Sequence, residues 1–330
     1  MSEDFRPGVW FQGGLNVDTT VELAVRAEEA GVDSVWLAEG PVARDAFITL
    51  SAVAMKTSRV ELATGVVNPF TRHPAQLAAS FATLDELSHG RAVAGVGFGA
   101  RDFLLPLGVD VSKPLTTARE MVQIIRGLLN REAIDLHSEK FQMDNVRLGL
   151  RPFRQGVPIY LAATGPKMCA LAGQVADGIY LLYGIQSYVT SSLALAGEKR
   201  AADAEPFRVA SPALMAVDGD DGRALTGAKI GLGLMLTEPN GEGLLETNGI
   251  DPELAQRIRN ALSTGGVKAL AGAVDETIVD KLIISGSHAE CVERLVEAYG
   301  WGVNEPQILL SGEDPTATLK VLADTKKVLA

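Results

Sequence analysis

Short apolar runs alternate along the chain with amphipathic stretches, and the pattern is clearest between residues 60 and 101. Residues 60–67 form a β-branched apolar run, which is typical of a strand buried on both faces of a parallel sheet. A helix is predicted from Pro74 to just before Gly90, with its apolar stripe at Leu77, Phe81, Leu84 and Leu87. A second buried run covers residues 91–97. Two parallel strands joined by so short a helix form a βαβ unit, so the sequence predicts an α/β protein.

Strand-like and helix-like segments alternate about eight times along the whole chain. The other predicted strands cover residues 9–12, 34–38, 158–162, 178–182, 209–216 and 307–310, and residues 134–148 predict a small hairpin. Thr19 with Glu22, and Thr117 with Glu120, have the spacing of capping boxes at helix starts. Eight β/α units that close on themselves predict a (β/α)8 TIM barrel, with residues 1–330 as one domain. An open doubly wound sheet usually stops at about five to seven strands.

Residues 218–275 interrupt this alternation. The segment is much longer than an ordinary loop, is rich in glycine and is acidic at both ends. Two pieces of it, residues 223–236 and 252–263, have helical character. An insertion placed before the last barrel units is either a lid over the active face or a packing appendage, and the sequence leaves both readings open.

Composition narrows the class of protein. The formal charge of −11 makes nonspecific nucleic-acid binding unfavourable. No apolar stretch is long enough to span a membrane, and the start MSEDFRPG lacks the pattern of a signal peptide. Cys169 and Cys291 are far apart, and no histidine, cysteine and carboxylate cluster has metal-ligand spacing. We therefore expect a cytoplasmic enzyme that acts on a small molecule without a metal, a nucleic-acid partner or a membrane.

If the barrel forms, the functional groups belong at the carboxyl ends of its strands. One candidate there is the turn Thr164-Gly165-Pro166-Lys167. Thr164 can cap the following helix, Pro166 suits its first position, and free backbone N–H groups at a helix start attract anions. The turn therefore predicts a phosphate site, and the alternative is an ordinary capped helix start.

The glycines 95, 97 and 99 form a second candidate. A dinucleotide-binding turn would open directly into a helix, with an acidic residue at the end of the next strand. Here Gly99 is followed by ARDFLLP, which is not a helix start of that kind. The spacing therefore disfavours a Rossmann site and leaves a strand end that a flat ring can approach.

Four segments together resemble the bacterial-luciferase-like superfamily, in its branch related to methylenetetrahydromethanopterin reductase and other coenzyme F420-dependent oxidoreductases. They are GVVNPFTRHP at 65–74, LDELSHGRAVAGVGFG at 84–99, KPLTTAREMVQIIRGLL at 113–129 and PIYLAATGPKMCALAGQVADGIYLL at 158–182. The resemblance covers most of residues 5–185. It implies a deazaflavin cofactor, with FMN as the alternative, and a cis peptide bond at Gly65–Val66. It also implies a homodimer packed through the helices near strands two to four, where Ala75, Ala78, Ala79 and Ala82 permit close approach.

The same resemblance implies which residues form the site. The predicted cofactor-binding residues are Gln12, Thr64, Gly65, Val66, Asn68, Gly97, Phe98, Gly99, Ala163, Thr164, Gly165, Pro166, Lys167 and Met168. Glu39 stands where related enzymes carry an acidic residue followed by histidine, although Gly40 follows it here. Gln12 replaces an expected glutamate. Ala100 stands where relatives often carry an acidic residue, and whether Arg101 or Asp102 compensates is left open by the sequence.

Two side chains are predicted to be catalytic. Glu39 is either a proton donor or a ligand of the cofactor's pyrimidine edge, and its alternative is a solvated loop carboxylate. His73 is either a proton donor or a cap of the helix that begins at Pro74. The leading hypothesis is hydride transfer between coenzyme F420 and a small organic substrate. The others are an FMN-dependent luciferase-like monooxygenase and a barrel that binds flavin without catalysis.

Overall fold

Parallel strands form a closed barrel in this computed structural model, which describes residues 4–40, 42–99, 104–198, 200, 205–219, 222–237, 241–310 and 314–330. Within those ranges eight strands form the wall: β1 (Gly8–Phe11), β2 (Ser34–Leu37), β3 (Glu61–Thr64), β4 (Ala92–Val96), β7 (Ile159–Ala162), β8 (Gly178–Tyr180), β9 (Arg208–Val217) and β11 (Glu305–Leu309). Each pairs in parallel with the next, and β11 closes the ring by pairing with β1. The predicted TIM barrel is confirmed, and each predicted strand overlaps an observed one.

Helices surround this wall. They are α1 (Val17–Glu29), α2 (Ala46–Ala54), α3 (Pro74–Leu87), α4 (Pro114–Leu129), α5 (Pro166–Val175), α6 (Gln186–Gly197), α12 (His288–Gly300) and α13 (Thr316–Leu329). The predicted hairpin is present as β5 (Ile134–His137) and β6 (Gln142–Val146), which pair antiparallel. Among the described residues, no helix has the length and apolarity that crossing a membrane requires.

Three predicted helix caps are wrong, although Pro166 does begin α5 as predicted. Helix α1 is capped by Asn16, whose side chain accepts from the N–H of Thr19. Helix α4 begins at Pro114, so Thr117 lies inside its first turn. Helix α5 is capped by the backbone of Gly165, and the Thr164 side chain makes no cap. In α4 and α5 a proline at the first position sets the helical φ angle, so the start does not depend on a capping side chain.

The segment between β9 and β10 (Ile283–Gly286) is helical. It holds α7 (Arg223–Thr237), α8 (Gly241–Thr247), α9 (Glu253–Gly265), α10 (Leu270–Ala273) and α11 (Glu276–Leu282). These helices share a hydrophobic cluster of their own, which also includes Leu214 and Ala216 of β9. The intervening side chains Ala213, Met215 and Val217 belong to the main core. Strand β9 therefore contributes alternate side chains to the two clusters.

Aromatic rings fill the barrel interior below its carboxyl-terminal mouth. Trp36 stacks on Tyr180 with ring centroids 5.1 Å apart, and its edge meets Tyr160 at 5.3 Å. Trp10 joins the same cluster, and Val66 packs against it from the mouth. The interior is thus a packed core rather than a channel, and it supports whatever binds above it.

A charged network closes the opposite, amino-terminal end. Glu305 is 3% exposed, accepts from the hydroxyl of Tyr160 at 2.9 Å, and pairs with Arg208 at 2.9 Å. Burial raises the pKa of Glu305, and the Arg208 guanidinium opposes that shift. The carboxylate therefore depends on Arg208 for compensation.

Replacing Arg208 with methionine is expected to lower the free energy of unfolding by roughly 3–5 kcal/mol, because a buried carboxylate loses its cation. Urea denaturation at neutral pH measures the change. Arg257→Met serves as the matched control, because Arg257 lies 3.5 Å from Asp251 in an exposed pair, and a change below about 1 kcal/mol is expected there. Equal losses in the two variants would contradict the structural role assigned to Arg208.

Candidate active site

The floor of the mouth is built where β3 and β4 end. The Gly65–Val66 peptide bond is cis, as the resemblance implies. Beyond it, Val67 bridges to Val96, and the N–H of Gly97 donates to the carbonyl of Val67. The Thr64 hydroxyl donates to the carbonyl of Gly95 at 2.6 Å. These bonds hold residues 64–67 and 95–97 together as one surface.

The glycines of this floor are required for close packing. A Cβ added to Gly95 would lie 1.7 Å from the carbonyl oxygen of Thr64. A Cβ added to Gly97 would lie 2.6 Å from the Cβ of Ala162 and 3.0 Å from the Cγ2 of Val66. The glycines therefore let adjacent strand ends meet. This agrees with the prediction that the repeat is not a dinucleotide-binding turn.

Two further predicted residues shape the rim of the floor. The Asn68 side chain accepts from the N–H groups of Phe70 and Thr71, which turns the chain back over the strand end. Phe70 in turn packs on Phe98, with ring centroids 5.1 Å apart. The predicted residues 64–68 and 97–98 thus form one connected group.

Glu39 lies at the end of β2 with its side chain 6% exposed. Its Oε1 is 2.7 Å from the Nη2 of Arg72, and Arg72 also lies 2.6 Å from the carboxylate of Asp45. Burial raises the pKa of Glu39, whereas Arg72 and a hydrogen bond from the Ala46 N–H oppose the shift. The Glu39 carboxylate is therefore buried and ion-paired, and its catalytic role stays a prediction.

Arg72 is a site residue that the sequence reasoning missed. It comes from the β3–α3 loop, lies over the ring of Phe47 at 5.2 Å, and joins that loop to Glu39 and Asp45 of the β2–α2 loop. Arg44 makes a similar link, because it donates to the carbonyls of Gly13 and Gly14. The signal available in the sequence was an arginine beside the predicted catalytic His73, but nothing local to it indicates its partners.

His73 caps the start of α3. Its Nδ1 accepts from the N–H of Ala75 at 3.2 Å, and its ring meets the edge of Phe141 from the β5–β6 hairpin at 5.5 Å. Burial lowers its pKa. The neutral ring therefore carries its hydrogen on Nε2. The capping role is present, and the catalytic role of His73 stays a prediction.

The predicted phosphate turn lies at the start of α5. The N–H groups of Met168 and Cys169 both donate to the carbonyl of Gly165, so the Met168 amide is engaged. Within the described part of the chain, the N–H groups of Gly165 and Lys167 have no acceptor. A Cβ added to Gly165 would meet nothing within 4 Å, so the turn faces open space. The predicted phosphate site therefore offers two free amides, those of Gly165 and Lys167, and it stays a prediction.

The remaining predicted residues fall into three groups. Ala163 is buried, and its N–H donates to the backbone carbonyl of Tyr180. This hydrogen bond fixes the end of β7, from which the chain continues to Thr164 and Pro166. Gln12 is exposed at the end of β1, and Gly99 adopts a positive φ of 61°. Ala100, Arg101 and Asp102 lie outside the described residues.

The fold and this mouth define a luciferase-like barrel. Residues 5–305 match the family model described as luciferase-like monooxygenase, and the chain belongs to that family. The 5,10-methylenetetrahydromethanopterin reductase of Methanolobus tindarius is 33% identical over 303 residues, which are 90% of this chain and 92% of that protein.

Two further comparisons concern the fold and a second group of relatives. The solved structure of coenzyme F420-dependent tetrahydromethanopterin reductase from Methanopyrus kandleri has a TM-score of 0.86 at 24% identity, and the match covers 97% of this chain and 98% of that one. The F420-dependent glucose-6-phosphate dehydrogenase of Amycolatopsis mediterranei is 35% identical over 179 residues, 50% of this chain and 53% of that protein. The family resemblance stated from sequence is therefore confirmed.

Proposed function

We propose that this protein is a coenzyme F420-dependent oxidoreductase that transfers a hydride between the deazaflavin and a small organic substrate. The observation that carries the proposal is an open helix terminus, at Gly165 and Lys167, on the same mouth as a glycine-lined floor. A phosphate and a flat ring are the two parts of such a cofactor that these features fit. The F420-dependent activity of its reductase relatives supports the same reading.

The residues present fit the cofactor in three ways. The amides of Gly165 and Lys167 would hold the phosphate, and the floor at Val66 and Gly97 would support the ring. The stacked rings of Trp36 and Tyr180 back this floor from inside the barrel. When bound, the deazaflavin supplies the two-electron chemistry. The protein orients the substrate against the open face, excludes water and holds a proton at the Glu39 carboxyl.

Cofactor titration tests the proposal. Purified protein is titrated separately with F420 and with FMN while the fluorescence of each is followed. We expect clearly tighter binding of F420. Comparable or tighter binding of FMN would favour the luciferase-like monooxygenase. If the protein binds F420 but no offered substrate oxidises the bound reduced F420, the result would favour the non-catalytic barrel.

We also propose that the protein is a cytoplasmic homodimer that packs through α2 and its neighbours. Helix α2 carries no charged residue; Ile48 on its outer face is 69% exposed, and Met55 at its C-cap is 68% exposed. A helix that is apolar on all sides is expected to be buried on all sides, so the outer face of α2 should contact another protein surface. In α3, Ala78 and Ala82 are buried within the chain, so of the four predicted small residues only Ala75 and Ala79 remain for an interface.

Ile48→Arg is expected to convert the dimer to a monomer, because it places a charge in the apolar face of α2. Light scattering at micromolar concentration measures the mass. Val328→Arg is the matched control, because it places the same charge at another exposed apolar side chain, 64% exposed on α13. The Val328→Arg variant should remain a dimer. A wild-type monomer would contradict the proposal.

A further inference from the structure

A groove lies on the outer side of the barrel wall, where α6, α11 and α12 meet. Its volume is about 230 Å³. The lining includes Tyr183, which follows β8, Asp280 and Lys281 of α11, and Arg294, Glu297 and Trp301 at α12. Typical small-molecule pockets hold roughly 300–1,000 Å³, so this groove suits a small ligand.

The groove is separate from the barrel mouth. Side chains alternate between the two sides of β8 and of the residues that follow it. Tyr180 belongs to the aromatic cluster inside the barrel, whereas Ile179, Leu181 and Tyr183 belong to the core between the strands and the helices. The Tyr183 side chain therefore faces the helices, on the opposite side of the wall from the floor of the candidate active site.

The hydroxyl of Tyr183 is buried without a partner. The residue is 7% exposed, and its hydroxyl forms no hydrogen bond with any residue that the structure describes. Burial raises the pKa of Tyr183 and the Arg294 guanidinium lowers it, so the hydroxyl lies near that cation. A buried hydroxyl is rarely left unpaired, and a protonated phenol can donate. An acceptor bound in the groove would therefore complete this group.

Two half-buried cations line the groove without a carboxylate partner. Lys281 donates to the carbonyl of Gly249 at 3.2 Å, and neither Lys281 nor Arg294 forms an ion pair with a described carboxylate. The carboxylates of the groove, Asp280 and Glu297, belong to exposed residues. The inner part of the groove is thus positively charged, and its rim is negatively charged.

The hydrogen bonds of Arg294 indicate which kind of anion fits. Its Nη2 donates to the carbonyls of Asp280 at 2.7 Å and Ile283 at 3.4 Å. Both donor forks of a guanidinium include Nη2, so neither fork is free for a bidentate carboxylate. A tetrahedral phosphate can instead accept single hydrogen bonds on separate oxygens, from Arg294, Lys281 and Tyr183.

We infer that this groove is a second ligand site, and that it binds a small phosphate monoester with hydroxyl groups beside the phosphate. The phosphate lies against Tyr183, Lys281 and Arg294. The hydroxyl groups donate to the two carboxylates of the rim, and the half-buried indole of Trp301 covers the carbon skeleton. The proposed hydride transfer makes no use of this groove, so either proposal can hold without the other.

Calorimetric titration with glycerol 3-phosphate, inorganic phosphate and malonate tests the site. We expect glycerol 3-phosphate to bind at a single site per chain, more tightly than inorganic phosphate. It should bind about tenfold more tightly than malonate, whose planar carboxylates lose a charge-assisted hydrogen bond. Its affinity should be the same with and without saturating F420, because the groove lies outside the mouth.

Three results of these titrations would overturn the inference. Malonate that bound as tightly as glycerol 3-phosphate would contradict the assignment of a phosphate. Inorganic phosphate that bound equally well would contradict the role of the rim in holding an ester. Competition by F420 would place the bound molecule at the mouth instead of the groove.

Two substitutions locate the binding. Tyr183→Phe should weaken glycerol 3-phosphate binding by about tenfold or more, the loss expected for a hydrogen bond to a charged group, and Lys281→Met should have a similar effect. Tyr299→Phe and Lys268→Met are the matched controls, because they make the same changes outside the groove, and both should bind as the wild type does.

Tyr183→Phe should fold normally, since the hydroxyl that it removes bonds to no described residue. Circular dichroism checks the fold, and Lys281→Met decides the outcome if Tyr183→Phe misfolds. Unchanged affinity in either folded groove variant would overturn the inference, as would the absence of glycerol 3-phosphate binding at millimolar concentration.

Discussion

Glu39→Gln is expected to lower turnover by about 10²–10⁴ while leaving cofactor affinity nearly unchanged. The Glu39 side chain is almost fully buried at the mouth, and burial raises its pKa while the Arg72 guanidinium opposes that shift. Glutamine retains the shape and the contact with Arg72 but has no acidic proton. Turnover and F420 affinity measured on the same preparation separate loss of catalysis from loss of binding.

Two controls sharpen this prediction. Glu22→Gln changes an exposed glutamate of α1 and should leave turnover unchanged. Arg72→Met removes the cation that opposes the shift, so the pKa of Glu39 should rise further and the basic limb of the pH–rate profile should move to higher pH. Unchanged turnover in Glu39→Gln would move the proton donor elsewhere, with His73, Asp102 or a bound water as the next candidates.

Gly165→Leu is expected to raise the dissociation constant for F420 by about 10- to 100-fold, because it places a side chain in the space assigned to the phosphate. The magnitude corresponds to losing one or two charge-assisted hydrogen bonds. The backbone at Gly165 has a φ of −96°, which any residue adopts, and a Cβ meets no neighbour within 4 Å. The variant should therefore fold normally, and fluorescence titration measures its affinity.

The size of the new side chain separates the possible causes of this loss. Gly165→Ala adds one carbon in open space and should change the affinity less than threefold. Thr190→Ala removes an exposed side chain of α6 that is not among the predicted cofactor-binding residues, and should leave the affinity unchanged. If leucine at position 165 binds F420 as tightly as glycine, the phosphate lies elsewhere.

The barrel could be predicted because its strands are short apolar runs bounded by glycine, proline and polar turns. Strand β10 was missed because Ile283–Gly286 directly follows the last residue of α11, without a turn between them. The starts of α1 and α4 were assigned wrongly because the spacing of a capping box also occurs inside a helix, as Thr117 and Glu120 show.

The candidate site was less predictable than the fold. The strand-end rule located Glu39, Gly65 and Gly165 at the mouth, since all parallel strands end there. It did not reveal that Arg72 pairs with Glu39, because that contact joins two loops separated by 33 positions. Nor did it indicate that the Met168 amide is already engaged within its own helix turn. Such pairings depend on loop conformation, which hydrophobic periodicity does not encode.

The two faces of β9 constrain how such proteins can be recombined. Its amino-terminal half pairs with β8 and β11, whereas residues 214–217 pair with β10 and send Leu214 and Ala216 into the cluster of the following helices. A chimera that exchanged only residues 218–275 with a relative would pack foreign helices against these two side chains. Successful crossovers should therefore fall before Leu214 and after Gly286, so that the helices are inherited together with the strands on which they pack.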